Sequence, residues 1–181
     1  SITCLSFVFQ ILQTSLPKTM DIRLSSSMDL GTSEIGYIVS AIYIVSGLMN
    51  YVGGILADKF SEKIIYAIGI VGQGCLLLLI ISLSNYWLII LCLIIVAFNS
   101  SILPAENLLL ARFAPEKYQS LVYGIKFIIS FSVGPIALIL ISKSYELTNE
   151  FSYLYLTSGV IMLLLFMVVL TLPVKKQTLA A

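Results

Sequence analysis

The sequence predicts an all-α membrane protein with six transmembrane helices. Hydrophobic residues make up 59% of its 181 residues and charged residues only 10%, and the mean hydropathy is +1.05. Soluble domains are typically about 45–50% apolar and about 25% charged, so too little polar surface is available to cover a water-soluble globule. The apolar residues also fall into runs long enough for helices that cross a bilayer.

Composition also excludes several classes of function. The net charge is +1, which offers no basic surface, and we expect no nucleic-acid partner. Histidine is absent, which removes Ser–His triads and the usual zinc sites. No G-x-x-x-x-G-K-[ST] motif for a nucleotide occurs. We therefore predict that the protein is not an enzyme and uses no cofactor or metal, and we interpret Cys4, Cys75 and Cys92 as small buried apolar residues.

The apolar runs define six spans in one transmembrane domain. A helix needs about 20 mostly apolar residues to cross the ~30 Å hydrocarbon layer of the lipid bilayer. In chain order the predicted spans cover about 1–16, 33–56, 64–83, 86–110, 121–141 and 151–172. The first is short and lacks a starting methionine or signal-peptide features, so we interpret it as the remainder of a longer opening helix in a fragment of a 12-helix protein.

Boundary residues justify these spans. Pro17 is expected to end the first span and Pro173 the last, while Pro115 suits the entry to the fifth. The cluster at Ser25–Ser27 then belongs to a polar external loop.

Other boundaries carry capping and interfacial residues. Ser61 can cap the third span, and Glu62 lies in its first turn, where a negative charge is favourable. Tyr86 and Trp87 open the fourth span and suit an aromatic belt at the membrane surface.

Lysine and arginine predict the orientation. One side of the membrane carries Lys59, Lys63, Arg112, Lys117, Lys175 and Lys176, and the other carries Lys18, Arg23 and Lys143. The richer side is expected to be cytoplasmic, which places both termini in the cytoplasm and the protein in the cell membrane. The isoleucine- and lysine-rich usage favours a bacterial source.

The second span has two unlike faces. On a helical wheel the small and polar residues lie within about 40° of Gly36; they are Ser40, Tyr43, Gly47, Asn50 and Gly54. The opposite side is bulky and apolar, with Ile38, Ile42, Val45, Met49, Val52 and Leu56. Because glycine and serine let backbones approach, we expect the small face to pack against protein and the bulky face to contact lipid. Tyr43 and Asn50 then either touch substrate or bond to a neighbouring helix.

A charged turn, GGILADKFSEK, joins the second and third spans at residues 53–63. It resembles the signature loop of the major facilitator superfamily, roughly G-x-L-A-D-R/K-x-G-R-R/K. The matching residues are Gly54, Leu56, Ala57, Asp58, Lys59 and Lys63. Ser61 replaces the usual glycine and Glu62 the usual arginine.

A second stretch, PEKYQSLVYG at residues 115–124, resembles the superfamily's link after the fourth helix of a half, roughly P-x-x-x-R-G-x-x-x-G. Pro115 and Gly124 match, whereas Gln119 and Ser120 stand where arginine and glycine are common. The resemblance covers nearly the whole chain and implies the C-terminal six-helix half of a 6+6 bundle. Its implied partners are the N-terminal six-helix half of the same protein and a small-molecule substrate.

Asp58 lies at the C-terminal end of the second span, where a carboxylate opposes the helix dipole by about 0.3–1 kcal/mol. Lys59, Lys63 and Arg112 lie in the same layer as candidate partners. The resemblance implies that this aspartate helps to latch the cytoplasmic side, in a gate motif that also includes Gly54. The alternative is a solvated turn whose charges only fix the topology.

Two ionisable residues, Glu106 and Lys126, fall inside predicted spans at similar depth, on the order of 10 Å from the cytoplasmic boundary. An unpaired charge at mid-membrane costs about 2.5–3.5 kcal/mol. Because the two helices are consecutive, we predict an ion pair between these residues. Glu106 has two other possible roles, as a proton carrier or as a carboxylate that faces substrate.

The resemblance also implies that the first and fourth helices of a half line a central cavity. The resulting cavity candidates are Gln10, Gln13, Asn99, Ser100 and Glu106. For Gln10 and Gln13 the alternative is a simple hydrogen bond between helices. The expected function is secondary active transport of a small solute by alternating access, driven by an ion gradient or by the solute's own gradient. The alternative is a six-helix membrane scaffold or assembly factor without transport.

Overall fold

Six α-helices build the fold of the protein, for which a computed structural model describes residues 2–28, 30–83 and 85–171. The helices are α1 (Ile2–Met28), α2 (Thr32–Lys59), α3 (Glu62–Leu79), α4 (Tyr86–Phe113), α5 (Gln119–Thr148) and α6 (Ser152–Leu170). A single 3-10 turn, Glu116–Tyr118, precedes α5. The predicted all-α class and the count of six helices are confirmed for the described part of the chain.

Five of these helices, α2 to α6, are long and apolar enough to cross a membrane by length and composition. The first helix has sufficient length, but its second half carries Lys18, Asp21 and Arg23. Pro173, which is expected to end the last span, lies outside the described residues. At the other boundaries, α5 continues beyond the predicted end near residue 141 and stops before Asn149, whose left-handed φ of 54° ends the helix.

Helix α1 passes through Pro17, so the prediction that the first span ends there is wrong. Ser25–Ser27 form part of its last turn instead of an external loop, and the hydroxyls of Ser26 and Ser27 donate to the carbonyl of Arg23. A proline removes one backbone donor, and the carbonyl freed four residues earlier needs another partner. The hydroxyl of Tyr43 on α2 provides it by donating to the carbonyl of Gln13 at 2.8 Å.

Packing of α2 on α4 and of α3 on both α4 and α6 forms most of the bundle, while α1 packs on α5. At Gly53 the backbone of α2 approaches α4 so closely that a Cβ would lie 2.7 Å from the Cα of Ser101. At Gly159 a Cβ would lie 3.1 Å from the carbonyl oxygen of Gly74 on α3. Glycine is therefore required where these two helix pairs meet.

The glycines of the small face of α2 are uncovered within the described residues, whereas Tyr43 of the same face contacts α1. Gly36, Gly47 and Gly54 each have no atom within 4 Å of the position a Cβ would take. The buried residues of α2 are Ile35, Val39, Ile42, Gly53 and Ala57, of which only Ile42 belongs to the predicted bulky face. The reason is that α4 contacts α2 on the side of Gly53, which the helical wheel had not grouped with the small residues.

Two further sequence expectations need correction. Cys4 and Cys75 are exposed, and Cys92 alone of the three cysteines is buried. Ser61 occupies the N-cap position of α3 as expected, but its side chain makes no capping hydrogen bond. Glu62 does lie in the first turn of that helix.

Two sets of charged residues identify the ends of the bundle. The end with Lys59, Lys63, Arg112 and Lys117 is called the basic end below, and the other is called the opposite end. At the opposite end, Arg23 on α1 donates to the carbonyls of Ile80 (2.6 Å) and Leu83 (3.2 Å) and to the hydroxyl of Ser152 (3.1 Å). It also lies 3.5 Å from Glu150. Sequence reasoning had assigned Arg23 only a role in topology, because its partners are distant in sequence.

Candidate functional site

Polar residues from α1, α2, α4 and α5 line two adjoining cavities inside the bundle. The larger has a volume of about 290 Å³ and includes the predicted residues Gln10 and Glu106. The smaller, of about 110 Å³, includes Gln13, Asn99 and Ser100. The cavities share Phe9, Asn50 and Leu103. All five cavity candidates thus lie along one tract through the bundle.

Glu106 on α4 and Lys126 on α5 are in direct contact at the wall of the larger cavity. Lys126 Nζ lies 2.7 Å from Glu106 Oε2, and the two side chains are only 7% and 5% exposed. Lys126 also donates to Asn107 Oδ1 at 2.5 Å. The equal depth of the two charged residues predicted this contact, but it did not predict the contribution of Asn107.

One oxygen of this carboxylate has no protein partner. Glu106 Oε1 is buried and accepts no hydrogen bond from the described residues. Leaving a buried charged acceptor without a donor costs free energy. The arrangement therefore holds the lysine firmly but leaves part of the carboxylate's hydrogen-bonding capacity unused.

Serine hydroxyls connect helices around the two cavities. Ser6 on α1 and Ser130 on α5 are hydrogen bonded at 2.8 Å, and Ser46 on α2 is hydrogen bonded to Ser100 on α4. Ser130 follows Lys126 by four residues, so both lie on one face of α5. Ser6 lies in an apolar run and gave no such signal in the sequence.

The predicted gate motif lies at the basic end, where its members make different contacts. Asp58 and Lys59 are exposed, and Gly54 faces open space. Lys63 donates to the carbonyl of Leu170 at 2.9 Å, which connects α3 to the end of α6. The structure thus places these residues in one layer without joining Asp58 to the cations.

Arg112 at the end of α4 forms its ion pair with Glu62, at the start of α3. Glu62 is buried, with 4% of its surface exposed, whereas Asp58 is exposed to solvent. Sequence reasoning had considered Arg112 as a partner of Asp58, and had treated Glu62 as a departure from the usual motif and as a favourable charge in the first turn of α3. Asp58 and Glu62 are close in sequence, so the sequence does not show which of them reaches Arg112. The direction in which α3 begins decides it.

No group of three or more Cys, Asp or Glu residues that could hold a metal ion occurs within 2–28, 30–83 and 85–171. The polar groups around the cavities are amides, hydroxyls and one carboxylate–ammonium pair. These groups suit a solute that is held by hydrogen bonds inside a largely apolar surrounding.

A comparison with protein families decides what this bundle is. A family model described as Major Facilitator Superfamily matches residues 1–180. The chain belongs to the major facilitator superfamily. The predicted fold class, an all-α membrane bundle that corresponds to one half of the superfamily's 6+6 arrangement, is confirmed. Proteins of the major facilitator superfamily are membrane transporters that bind small-molecule substrates.

A comparison with curated proteins found no match. For this major facilitator chain, the features that bear on a particular solute are therefore those of its own cavities. These are the buried pair of Glu106 and Lys126, the amides of Gln10 and Asn50, and the apolar residues around them.

Proposed function

We propose that this chain is the C-terminal half of a secondary active transporter that moves a small solute across the cell membrane by alternating access. The observation that carries the proposal is the ion pair between Glu106 and Lys126, which is buried beside a cavity of about 290 Å³. Charged residues inside a membrane domain are costly and typically belong to solute or ion pathways. A substrate that binds between two six-helix halves would reach this cavity from its uncovered side.

The uncovered faces of α2 and α5 support the presence of an N-terminal six-helix half on the same protein. No atom lies within 4 Å of a Cβ placed at Gly36, Gly47, Gly54 or Gly124. Small residues in membrane helices let backbones approach closely. A second bundle that packs on these faces would convert the open tract of cavities into an enclosed site.

The charge distribution supports a cytoplasmic location for the basic end. Lys59 and Lys117 are exposed there, and Lys63 and Arg112 lie in the same layer. The positive-inside rule then places both termini of this half in the cytoplasm. In this orientation Asp58 faces the cytoplasm, where it can restrain the gate by a contact with the other half.

Glu106 also supports coupling of transport to an ion gradient. One of its oxygens contacts Lys126, and the other lacks a hydrogen-bond donor among the described residues. A carboxylate in this position can bind or release a proton when the solute enters. If the solute's own gradient drove transport, the pair of Glu106 and Lys126 would have no role in coupling to an ion.

The experiment uses the full-length protein in proteoliposomes. The vesicles are incubated with the small molecules of a cell extract under an imposed proton or sodium gradient, and accumulated solutes are measured by mass spectrometry. We expect at least one solute to accumulate only with a gradient. Asn50→Trp, which places a bulky side chain at a position shared by both cavities, should abolish this accumulation, whereas Leu164→Trp on the exposed face of α6 should not.

Two results would contradict the proposal. If no solute accumulates with a correctly folded protein, the chain belongs to a scaffold without transport. If Asn50→Trp and Leu164→Trp transport equally well, the solute does not pass through these cavities.

A further inference from the structure

We propose that the larger cavity takes a neutral organic solute that carries a hydrogen-bond donor, N–H or O–H, on an apolar body. This inference rests on the proposed transport function and specifies the chemical class of the solute. It follows from three properties of the cavity wall: its balance of charge, its free hydrogen-bond acceptor and its aromatic residues.

The charges in the cavity wall already neutralise each other. Lys126 Nζ is bound by Glu106 Oε2 at 2.7 Å and by Asn107 Oδ1 at 2.5 Å, so the carboxylate compensates its positive charge and two of its three N–H groups have partners. A charged solute would bring a second, uncompensated charge next to a pair that is about nine-tenths buried. Removing a charge from water without a partner is unfavourable. A neutral solute avoids this cost.

The free hydrogen-bond acceptor in the cavity wall favours a solute that donates a hydrogen bond. Glu106 lines the cavity, and its Oε1 accepts no hydrogen bond from the described residues. Ser6 and Ser130 line the same cavity but are hydrogen bonded to each other. An N–H or O–H group of the solute would complete the carboxylate's hydrogen bonds, and donors to charged acceptors form the stronger hydrogen bonds. A group that only accepts would meet a negative oxygen.

Aromatic rings supply the apolar part of the site. Phe9 of α1 and Phe127 and Phe131 of α5 line the cavity, and the rings of Phe127 and Phe131 are stacked with centroids 6.3 Å apart. Ligand cavities typically measure about 300–1,000 Å³, so the volume of about 290 Å³ suits a small solute. These rings are expected to contact its apolar body while Glu106 binds its donor.

Four probes that share one naphthalene ring test the inference on the purified full-length protein. They are 2-naphthalenemethanol, its methyl ether, 2-naphthoate and (2-naphthylmethyl)trimethylammonium, and binding is measured by isothermal titration calorimetry. The alcohol alone combines neutrality with a donor. We expect the alcohol to bind about tenfold more tightly than the ether, because only the alcohol donates a hydrogen bond to the charged carboxylate. We also expect it to bind more tightly than either ion.

Two variants assign the preference to the cavity. Glu106→Gln should reduce the alcohol-to-ether ratio toward one, whereas Glu146→Gln, at an exposed carboxylate of α5, should preserve it. If Glu106→Gln fails to fold, Phe131→Ala provides a second test, because Phe131 is 70% exposed in this chain. This variant should weaken the alcohol and the ether equally and leave their ratio unchanged.

Each remaining outcome overturns the inference. Equal binding of alcohol and ether would show that the solute needs no hydrogen-bond donor. Tighter binding of naphthoate or the ammonium would show that the solute is not neutral. If no probe binds, the whole proposed class of solutes is refuted. The proposed function fails separately, when no solute accumulates in proteoliposomes although the alcohol still binds through Glu106. Transport without any preference for the alcohol would contradict only the solute class.

Discussion

The hydroxyl of Tyr43 on α2 donates a hydrogen bond to the backbone carbonyl of Gln13 on α1, 2.8 Å away. Pro17 follows Gln13 by four residues and has no backbone N–H, so the carbonyl lacks its usual helical donor. A side chain from a neighbouring helix thus compensates for the proline and allows α1 to continue to Met28.

Tyr43→Phe is expected to lower stability by about 1 kcal/mol, because it leaves the Gln13 carbonyl without a donor. In a Pro17→Ala background the backbone N–H is restored, so the same substitution should cost less. Thermal unfolding of the full-length protein in detergent measures both losses. An equal loss in both backgrounds would show that the tyrosine does not act through this carbonyl.

Separating Glu106 from Lys126 should destabilise the protein. Breaking a buried pair costs about 3–5 kcal/mol, because the remaining charge is stranded. Glu106→Gln and Lys126→Ala should each lower the unfolding temperature, and the double variant should recover part of the loss. Strictly additive losses in this double-mutant cycle would refute the coupling.

Gradient-driven uptake gives Glu106 a separate test. If Glu106 carries protons, Glu106→Gln should abolish gradient-driven accumulation in proteoliposomes and spare solute exchange. Intact accumulation would remove the proton role.

Glu62 and Asp58 are expected to respond differently to neutralisation. Glu62→Gln leaves Arg112 without its ion-pair partner at the junction of α3 and α4, and we expect a loss of about 1–3 kcal/mol. Asp58→Asn changes an exposed residue, so stability should stay within about 0.5 kcal/mol while transport falls. Unfolding temperature and transport rate per molecule are measured for both variants. Reduced abundance with normal transport by Asp58→Asn would make Asp58 a folding residue.

The topology prediction places Ser61 and Lys117 in the cytoplasm and Ser26 and Glu146 outside. Single cysteines at these positions are introduced after Cys4, Cys75 and Cys92 have been replaced, and intact cells are treated with a membrane-impermeant thiol reagent. Labelling is expected at positions 26 and 146 only. Labelling at position 61 but not at 26 would reverse the orientation.

Gly53 and Gly47 form a matched pair on α2. At Gly53 a Cβ would lie 2.7 Å from the backbone of Ser101, whereas at Gly47 no atom lies within 4 Å. Gly53→Ala should therefore lower stability by about 1–3 kcal/mol through overpacking, and Gly47→Ala should not. If Gly47→Leu leaves folding and transport unchanged in the full-length protein, the uncovered face does not receive the other half.

The helices were predictable because a bilayer imposes a length and a polarity on every span, and the equal depth of Glu106 and Lys126 predicted their contact. Contacts that depend on which neighbouring helix a residue faces could not be predicted. The continuation of α1 through Pro17 depends on Tyr43, which belongs to another helix. A helical wheel groups residues by type, but it does not reveal which face meets another helix of the same chain, so the side of α2 that packs on α4 was not identified.

Arg23 gives the proposed alternating access a structural basis. This one guanidinium fastens the opposite ends of α1, α3 and α6, while Lys63 and the pair of Glu62 and Arg112 fasten α3 to α6 and to α4 at the basic end. With braces at both ends, a push on one helix near the cavity is passed to its neighbours. In the proposed transport cycle the half would then move as one body, so that a displacement at the solute also reaches the far surface of the membrane.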